Sequence, residues 1–386
     1  MAQSARAGAT HRLRALPEEI VTWEILVRLP PKALLRCRAV CRAWLRVTSA
    51  REFLMAHHDR QPSLHFLYGS GYGGGGIHEK DILAFDNQAT NAVQLHSVAR
   101  LKEYFYLQAS CDGLLIIATL TYRLPGTWFI CCNPATRQYA PLGIVARDLY
   151  IVGMYRHRPT GEYRLLLQWS RYSDLPDDDQ RIGFYVFTLG SDRQPRYIGW
   201  PEMGSAYFNV PARVRDSLHW YVTSQSKLIV VFNTITESFQ RMRAPTFPIG
   251  QRRISYIFEA DGTLGLHTRN MATKEIVDIW VLQNYEGEAW VLKYQIILPV
   301  AEVMGRFEGC DELWYVNVAL EDGRVFLLAT VGEWVFHIDS DGKLVDSFYR
   351  GVGSLCGYGF RHKQSLVPHS FFTALEGSVA NTSPFI

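Results

Sequence analysis

The 386-residue sequence lacks the features of a membrane, secreted or nucleic-acid-binding protein. No stretch approaches roughly 18 consecutive apolar residues, the length of a membrane-spanning helix. The first residues lack the apolar stretch of roughly 7–15 residues that marks a secretory signal. The net charge of +3 is too small for a strongly basic nucleic-acid-binding surface. The seven cysteines form no regular framework, so we expect reduced cysteines and an intracellular location, in the cytoplasm, the nucleus or both.

Common catalytic signatures are missing as well. The sequence holds no Gly-x-Ser-x-Gly and no His-Glu-x-x-His. Gly69–Gly74 formally contains G-x-G-x-x-G, but the strand-like run Ile82–Phe85 follows where a dinucleotide site needs a helix. Cys37 and Cys41 do not have the spacing of a zinc finger. We therefore predict no catalytic residue, no metal site and no cofactor.

The part of the chain from Leu16 to about Arg60 has helical periodicity. Ile20, Trp23 and Val27 recur at spacings of three and four residues. Prolines at 30 and 31 end that helix and open the next, and a third helix follows. So short a unit has more apolar positions than its own core can bury. The pattern predicts three helices that either present a face to a partner or pack on the rest of the chain.

This segment resembles an F-box. The match comprises Leu16-Pro17, Ile20, Ile25-Leu26, Leu29-Pro30, Leu34-Leu35 and Val40-Cys41-Arg42-Ala43-Trp44, with Trp23 as a departure where an aliphatic residue is commoner. The resemblance implies docking onto a Skp-family adaptor and, through it, onto a cullin scaffold. The adaptor-binding residues that it predicts are Leu16, Pro17, Ile20, Leu26, Leu29, Pro30, Leu34, Leu35, Val40 and Trp44.

After Pro62 the pattern becomes strand-like, and one unit recurs. Its anchors are separated by intervals of 47, 55, 45, 48 and 56 residues and are Phe85, Cys132, Phe187, Phe232, Trp280 and Phe336. A turn such as Asp112-Gly113 or Asp261-Gly262 usually precedes the anchor. A period of roughly 50 residues with about four strands is that of a kelch-type propeller blade. We predict an all-β domain that is a six-bladed β-propeller, with seven blades or an irregular pair of β-sandwiches as alternatives.

Closure of such a propeller needs a strand from each end of the domain. We expect Leu64–Tyr68 to pair near Ser370–Thr373 and so cover an exposed edge.

The strand-rich part also resembles the plant F-box-associated domain. The recognisable pieces are Ser110–Leu115, Asn133–Arg137 and Val231–Thr234. Together, the two resemblances predict four segments: a disordered basic tail (1–15), an F-box (16–61), an F-box-associated β-propeller-like domain (62–375) and a flexible tail (376–386).

The function implied by both resemblances is substrate recognition within an SCF-type (Skp–cullin–F-box) ubiquitin ligase, without catalysis by this chain. The partners are then the adaptor, the cullin and an unidentified target protein, and neither nucleic acid nor a membrane. Loops carry propeller specificity, and aromatic residues anchor interfaces. The predicted target-binding residues in the longest loops are therefore Tyr72, Tyr172, Tyr207, Phe208 and Tyr358. A propeller enzyme or a glycan-binding protein with an incidental helical start is the alternative.

Overall fold

The chain divides into two compact units. The helical unit comprises Met1–Pro62 with Gln364–Pro368, and the β unit comprises Ser63–Lys363 with His369–Ile386. In this computed structural model the described residues are 16–70, 80–86, 94–101, 105–120, 127–145, 149–169, 182–199, 208–222, 228–247, 253–270, 275–307, 314–321, 323–332, 334–349, 354–356, 359–375 and 384–385. Over these ranges, every helix is too short or too polar to cross a membrane.

The helical unit begins with a segment that changes its hydrogen-bonding type along its length. Helix α1 (Glu18–Ile20) continues as a π-helical turn (Val21–Ile25) and a 3-10 turn (Leu26–Arg28). Pro17 precedes it, and two acidic residues occupy its first turn, where the helix dipole favours negative charge. Three further helices follow: α2 (Pro31–Cys37), α3 (Arg42–Ser49) and α4 (Arg51–Arg60).

The structure differs from the predicted three helices in two ways. Helix α4 is additional, and the predicted third helix starts only at Arg42. Cys41 is extended (φ −157°, ψ 160°), which interrupts the helix, and its Sγ accepts the backbone N–H of Trp44 at 3.4 Å as an N-cap. Residue periodicity therefore located the helical region but not the break.

A small core and one buried carbonyl hold the helical unit together. Leu26, Val27, Leu34 and Phe53 are each at most 1% exposed. The prolines at 30 and 31 leave the Leu29 carbonyl without a helical partner. His57 Nε2 lies 2.8 Å from that oxygen, and the Gln61 amide donates to it at 3.2 Å. Burial lowers the pKa of His57, so the ring is neutral at physiological pH.

The β unit consists of antiparallel groups of four strands. Sheet 2 contains β4 to β7, sheet 3 contains β8 to β11, sheet 4 contains β12 to β15, sheet 5 contains β16 to β19 and sheet 6 contains β20 to β23. A single parallel bridge, Ala260 to Leu320, joins sheets 5 and 6. Sheet 1 combines β1, β2 and β3 with β24 and β25 from the end of the unit.

The strand and helix bounds in chain order are β1 Ser63–Ser70, β2 Lys80–Asp86, β3 Gln94–Leu101, β4 Phe105–Cys111, β5 Leu114–Leu120, β6 Thr127–Asn133, β7 Gln138–Val145, β8 Leu149–Arg156, β9 Tyr163–Trp169, β10 Gly183–Thr188, β11 Arg196–Gly199, β12 Ala212–Val214, β13 Ser217–Tyr221, β14 Leu228–Asn233, β15 Ser238–Arg243, β16 Arg253–Ala260, β17 Thr263–Asn270, β18 Ile276–Asn284, β19 Ala289–Ile297, α5 Val300–Arg306, β20 Tyr315–Glu321, β21 Arg324–Val331, β22 Trp334–Ile338, β23 Leu344–Tyr349, β24 Ser354–Cys356, β25 Arg361–Lys363 and α6 Ser370–Leu375.

The recurring sequence unit corresponds to this strand pattern. Each predicted anchor lies on the third strand of its sheet, when sheet 1 is counted from β24. The Asp-Gly turns join first and second strands, and both central residues have positive φ, as at Asp112 (50°) and Gly113 (92°). Asp-Gly is favoured there because glycine has no Cβ and aspartate tolerates this conformation. The all-β fold class is confirmed, whereas the number of blades stays a prediction.

The predicted closure places Leu64–Tyr68 correctly against the end of the β unit, but the predicted partner segment near Ser370–Thr373 is wrong. Ser370–Leu375 forms helix α6, and its Phe372 is buried in the core between sheets 2 and 3. The edge of β1 instead pairs with β24 (Tyr68 opposite Cys356) and with β25 (His65 opposite Arg361). The aromatic pair at 371 and 372 suits a strand as well as a helix, but β24 and β25 already occupy the free edge of β1.

Candidate interaction surfaces

The helical unit exposes an unusual number of large apolar side chains. They are between 38% and 66% exposed and comprise Leu16, Ile20, Trp23, Ile25, Leu35, Val40 and Leu45. Short helices that pack on one face only leave the opposite face without cover. An apolar surface of this kind on a small unit indicates a protein-binding site.

The predicted adaptor-binding residues divide by exposure. Six of the ten are exposed: Leu16, Pro17, Ile20, Pro30, Leu35 and Val40. Leu29 and Trp44 are half-buried, and Leu26 and Leu34 are buried in the core of the unit. Contact of these residues with an adaptor stays a prediction, and the two buried leucines are the least available for it.

Three exposed apolar residues on this unit were not among the predicted ones. Trp23, Ile25 and Leu45 lie in helical segments, and the Trp23 ring packs against Phe53 with 5.8 Å between centroids. Trp23 and Ile25 entered the sequence analysis through the helical period and the F-box pattern, without a predicted contact, and Leu45 did not enter it. Only the packing of the helices shows which apolar positions remain outside.

The predicted target-binding residues lie mainly outside the described part of the chain. This holds for Tyr72, Tyr172, Tyr207 and Tyr358. Phe208 is described, and its ring makes edge-to-face contacts with Phe184 and Trp220, each with 5.4 Å between centroids. The structure thus gives Phe208 a packing role between sheets 3 and 4, and a contact with a target stays a prediction.

A cavity of about 470 Å³ lies in the middle of the β unit. The first strand of every sheet contributes to its wall, with β4, β8, β12, β16, β20 and β25 all represented, and β1 adds Ser63 and His65. The charged side chains that line it, in the part of the chain that the structure describes, are Asp112, Arg213, Arg215, Glu259, Arg361 and Lys363. A cavity whose wall combines apolar side chains with several charged and polar ones is suited to binding part of another molecule.

On one side of this cavity, Arg361 connects three sheets. Its guanidinium donates to Glu321 of sheet 6 at 2.7 Å and also pairs with Glu259 of sheet 5. His65 Nε2 lies 3.7 Å from the Glu321 carboxylate. Burial lowers the pKa of His65, and the nearby guanidinium adds to this effect, so the ring is neutral at physiological pH. The arrangement leaves Arg361 neutralised by two carboxylates.

On another side, Arg213 of sheet 4 reaches sheet 2. Its Nη1 donates to Cys111 Sγ at 3.0 Å and to Asp112 at 3.3 Å. Tyr163 of sheet 3 donates to the same carboxylate at 3.3 Å. Burial raises the pKa of Cys111 to about 12, with the Asp112 charge adding to the shift. The sulfur is therefore a protonated thiol at neutral pH and not a reactive thiolate.

Comparison with known proteins agrees with this organisation. Residues 80–331 match the family described as F-box associated beta propeller domain, and residues 13–61 match the F-box-like family. The chain is 23% identical over 323 residues to the F-box protein At5g49610 of Arabidopsis thaliana, covering 78% of this chain and 85% of that protein. It is 22% identical over 379 residues to the F-box protein At5g10340 of Arabidopsis thaliana, covering 89% and 83%.

Solved structures show weaker similarity. The β-propeller domain of the Trilobed protease from Pyrococcus furiosus is 13% identical with a TM-score of 0.33, covering 75% of this chain and 85% of that one. A protein from Lactobacillus plantarum is also 13% identical with a TM-score of 0.39, covering 76% and 98%. Similarities this low add nothing to the family assignment.

The propeller family match covers more than half of the chain, and an F-box match precedes it. The chain therefore belongs to the plant F-box proteins with a C-terminal F-box-associated β-propeller domain. The resemblance predicted from its sequence is confirmed.

Proposed function

We propose that this chain is the substrate-recognition subunit of an SCF-type ubiquitin ligase. The observation that carries the proposal is the exposed apolar surface of the helical unit, formed largely by residues of the F-box pattern. Exposed Arg28, Lys32, Arg36, Arg42 and Arg46 lie in the same helical segments and outnumber the exposed acids Glu18, Glu19 and Glu24. This positive excess suits an acidic adaptor and would speed association.

In this proposal the chain does no bond chemistry. The helical unit docks on a Skp-family adaptor, which connects to a cullin, and the β unit holds the target protein. Holding a target lysine near the charged ubiquitin carrier raises its effective concentration and so accelerates transfer. We place the protein inside the cell, in the cytoplasm, the nucleus or both, because the ligase acts there.

Replacing Leu16 and Pro17 by alanine tests the docking step. Both side chains are exposed, so the double variant should fold while losing interface anchors. Truncating anchors costs about 2–4 kcal/mol, which corresponds to roughly 30- to 1000-fold weaker adaptor binding. The measurement is titration of the full-length chain with purified Skp adaptor by calorimetry.

The matched control is Ile297→Ala, because Ile297 is 63% exposed on β19 of the β unit. Its adaptor affinity should equal that of the unmodified chain. If the double variant binds the adaptor as tightly as the control, the docking proposal loses its support.

Target capture is tested separately in the β unit. The parts of the predicted loops 69–79, 171–181, 204–213 and 351–363 that lie outside the strands and the packed Phe208, namely 71–79, 171–181, 204–207 and 357–358, are replaced one at a time by a short Gly/Ser linker. We expect at least one replacement to abolish target ubiquitination while adaptor binding remains. If ubiquitination survives all four replacements, target recognition does not depend on these loops.

A further inference from the structure

Among the residues that the structure describes, more positive than negative side chains line the central cavity of the β unit. Over the described lining residues, the surplus is two positive charges, or one when Glu321 is counted with its partner Arg361. His65 and His267 also line it, but burial lowers the pKa of both, that of His267 to about 3, so neither adds charge near neutral pH. The cations of the lining differ in how many of their N–H donors are already hydrogen-bonded.

Arg213 is a cation with hydrogen-bond donors to spare. Arg361 already serves two carboxylates, and Arg215 pairs with Glu286 at 3.2 Å and lies 4.7 Å over the Tyr285 ring. Within the described ranges, Arg213 donates two hydrogen bonds, both from Nη1, and its Nε and Nη2 donate none. These two nitrogens form the edge of a guanidinium that binds a carboxylate with two parallel hydrogen bonds.

Uncharged polar groups line the same cavity. Gln108 of β4, Asn209 ahead of β12 and Asn317 of β20 come from three different sheets. Their side chains make no hydrogen bond with the part of the chain that the structure describes. An amide side chain both donates and accepts, so it can pair with the N–H and C=O groups of an extended peptide. A cavity of about 470 Å³ accommodates a few residues of such a peptide.

We propose that this cavity binds an acidic peptide segment of the target protein, with a carboxylate of the segment on Arg213. The amides of Gln108, Asn209 and Asn317 hold the peptide backbone. Asp112 remains on Nη1 of Arg213, so the incoming carboxylate occupies the free edge and does not displace it. That a target supplies the peptide rests on the proposed function, whereas the binding site itself does not.

The experiment uses the full-length chain and two 12-residue peptides, each with fluorescein at its N-terminus and an amidated C-terminus. One carries three central glutamates in a Gly/Ser background and the other carries three glutamines. We expect the glutamate peptide to bind about tenfold more tightly by fluorescence anisotropy, and more weakly as salt is raised. Arg213→Gln should remove this preference for the glutamate peptide. Arg213→Lys should keep part of it, because lysine retains the positive charge but lacks the two parallel N–H donors of the guanidinium.

Three further variants separate binding from folding. Arg213→Gln removes a positive charge next to Asp112. The double variant Arg213→Gln with Asp112→Asn removes both charges together and should also bind the two peptides equally. Arg324→Gln changes an exposed arginine outside the cavity and should leave the tenfold preference intact. Asn317→Ala should weaken the binding of both peptides by about threefold, because in this proposal the Asn317 amide contacts the backbone of the bound peptide.

Three results would overturn the site. They are the absence of saturable binding up to millimolar glutamate peptide, equal binding of the two peptides by the unmodified chain, and a preference that survives in both Arg213→Gln variants. Adaptor binding is measured on the same samples. Failure of the peptide site with intact adaptor binding leaves the docking proposal standing, and Leu16→Ala with Pro17→Ala should leave peptide binding unchanged.

Discussion

Individual polar residues join neighbouring sheets of the β unit. Glu237, at the end of the turn between β14 and β15, accepts hydrogen bonds from Tyr155 at 2.7 Å, Arg164 at 2.6 Å and Arg196, all on sheet 3. Its side chain is 9% exposed. Burial alone would raise its pKa, but the bonds from Tyr155 and Arg164 and the two positive charges lower the pKa of Glu237 overall. One carboxylate thus neutralises a largely buried guanidinium across a sheet boundary.

Glu237→Gln should destabilise the protein by about 1.5–3 kcal/mol at neutral pH, because hydrogen bonds to a charged acceptor become bonds to a neutral one. A carboxyl with a lowered pKa in the folded state contributes stability above its unfolded pKa. That stability is lost as pH falls through the folded pKa. The difference between variant and unmodified chain should therefore shrink below about pH 4.5, the unperturbed value. Urea denaturation between pH 3.5 and pH 7 measures it.

Glu286→Gln is the control for this comparison. Glu286 pairs with Arg215, but its side chain is 86% exposed, so screening by water leaves the pair nearly without effect. Its denaturation midpoint should follow that of the unmodified chain at every pH. If Glu237→Gln lowered the free energy of unfolding equally at every pH, the negative charge of Glu237 would not be what stabilises the fold.

At the scale of elements, one turn design recurs between third and fourth strands. The side-chain oxygen of an Asn or Asp at the start accepts backbone N–H groups of the turn. Asn233 accepts from residues 235 and 236, Asn284 accepts from Gly287, and Asp339 accepts from residues 341 and 343, all at 2.9 Å. These bonds satisfy turn amides that no strand can pair. They explain why Asn and Asp recur at a fixed place in the repeated unit.

Two glycines with nearly equal φ allow a test of turn packing. Gly262 (φ +78°) has no described atom within 4 Å of the position where a Cβ would lie, whereas a Cβ on Gly342 (φ +80°) would overlap the Ile297 carbonyl oxygen. Gly262→Ala should cost about 1–2 kcal/mol for the left-handed conformation alone. Gly342→Ala should cost a further 1–3 kcal/mol or so for the overlap. Thermal unfolding of the two variants side by side measures the difference, and equal costs would contradict the packing of Gly342 against β19.

At the scale of the whole β unit, its first and last strands share one sheet. Ser63 lies opposite Lys363, and His65 lies opposite Arg361. Arg361 continues the connection to sheets 5 and 6, and Ser110 of sheet 2 donates to its carbonyl at 2.7 Å. The pairing therefore holds together residues about 300 positions apart, and its loss would release an unpaired strand edge.

A disulfide between Ser63→Cys and Lys363→Cys should stabilise this closure. Residues directly opposite in an antiparallel pair have a Cα separation that a disulfide can bridge. Cross-linking so long a loop lowers the conformational entropy of the unfolded chain. This raises the free energy of unfolding by up to about 4–5 kcal/mol. The oxidised variant should unfold at a higher temperature than the same variant with reductant. The single-cysteine variants should show no such shift, and an unchanged midpoint on oxidation would indicate a different register.

The sequence by itself determined the local features of this protein. The change from helical to strand periodicity near Pro62, the four-strand unit with its Asp-Gly turn and its anchor residues, and both family resemblances follow from spacings of a few to about fifty residues. Such patterns depend on the dihedral preferences of neighbouring residues and on the alternation of apolar positions, which a sequence displays directly.

Only the tertiary structure decided which distant residues meet and which apolar residues stay outside. Leu34 is buried while its neighbour Leu35 is exposed, and Ser370–Leu375 is a helix although its composition also fits a strand. The Arg213–Asp112 pair joins residues 101 positions apart. Pairing and burial of this kind are set by the packing of complete sheets and helices, and no spacing along the chain records which partner a residue will meet.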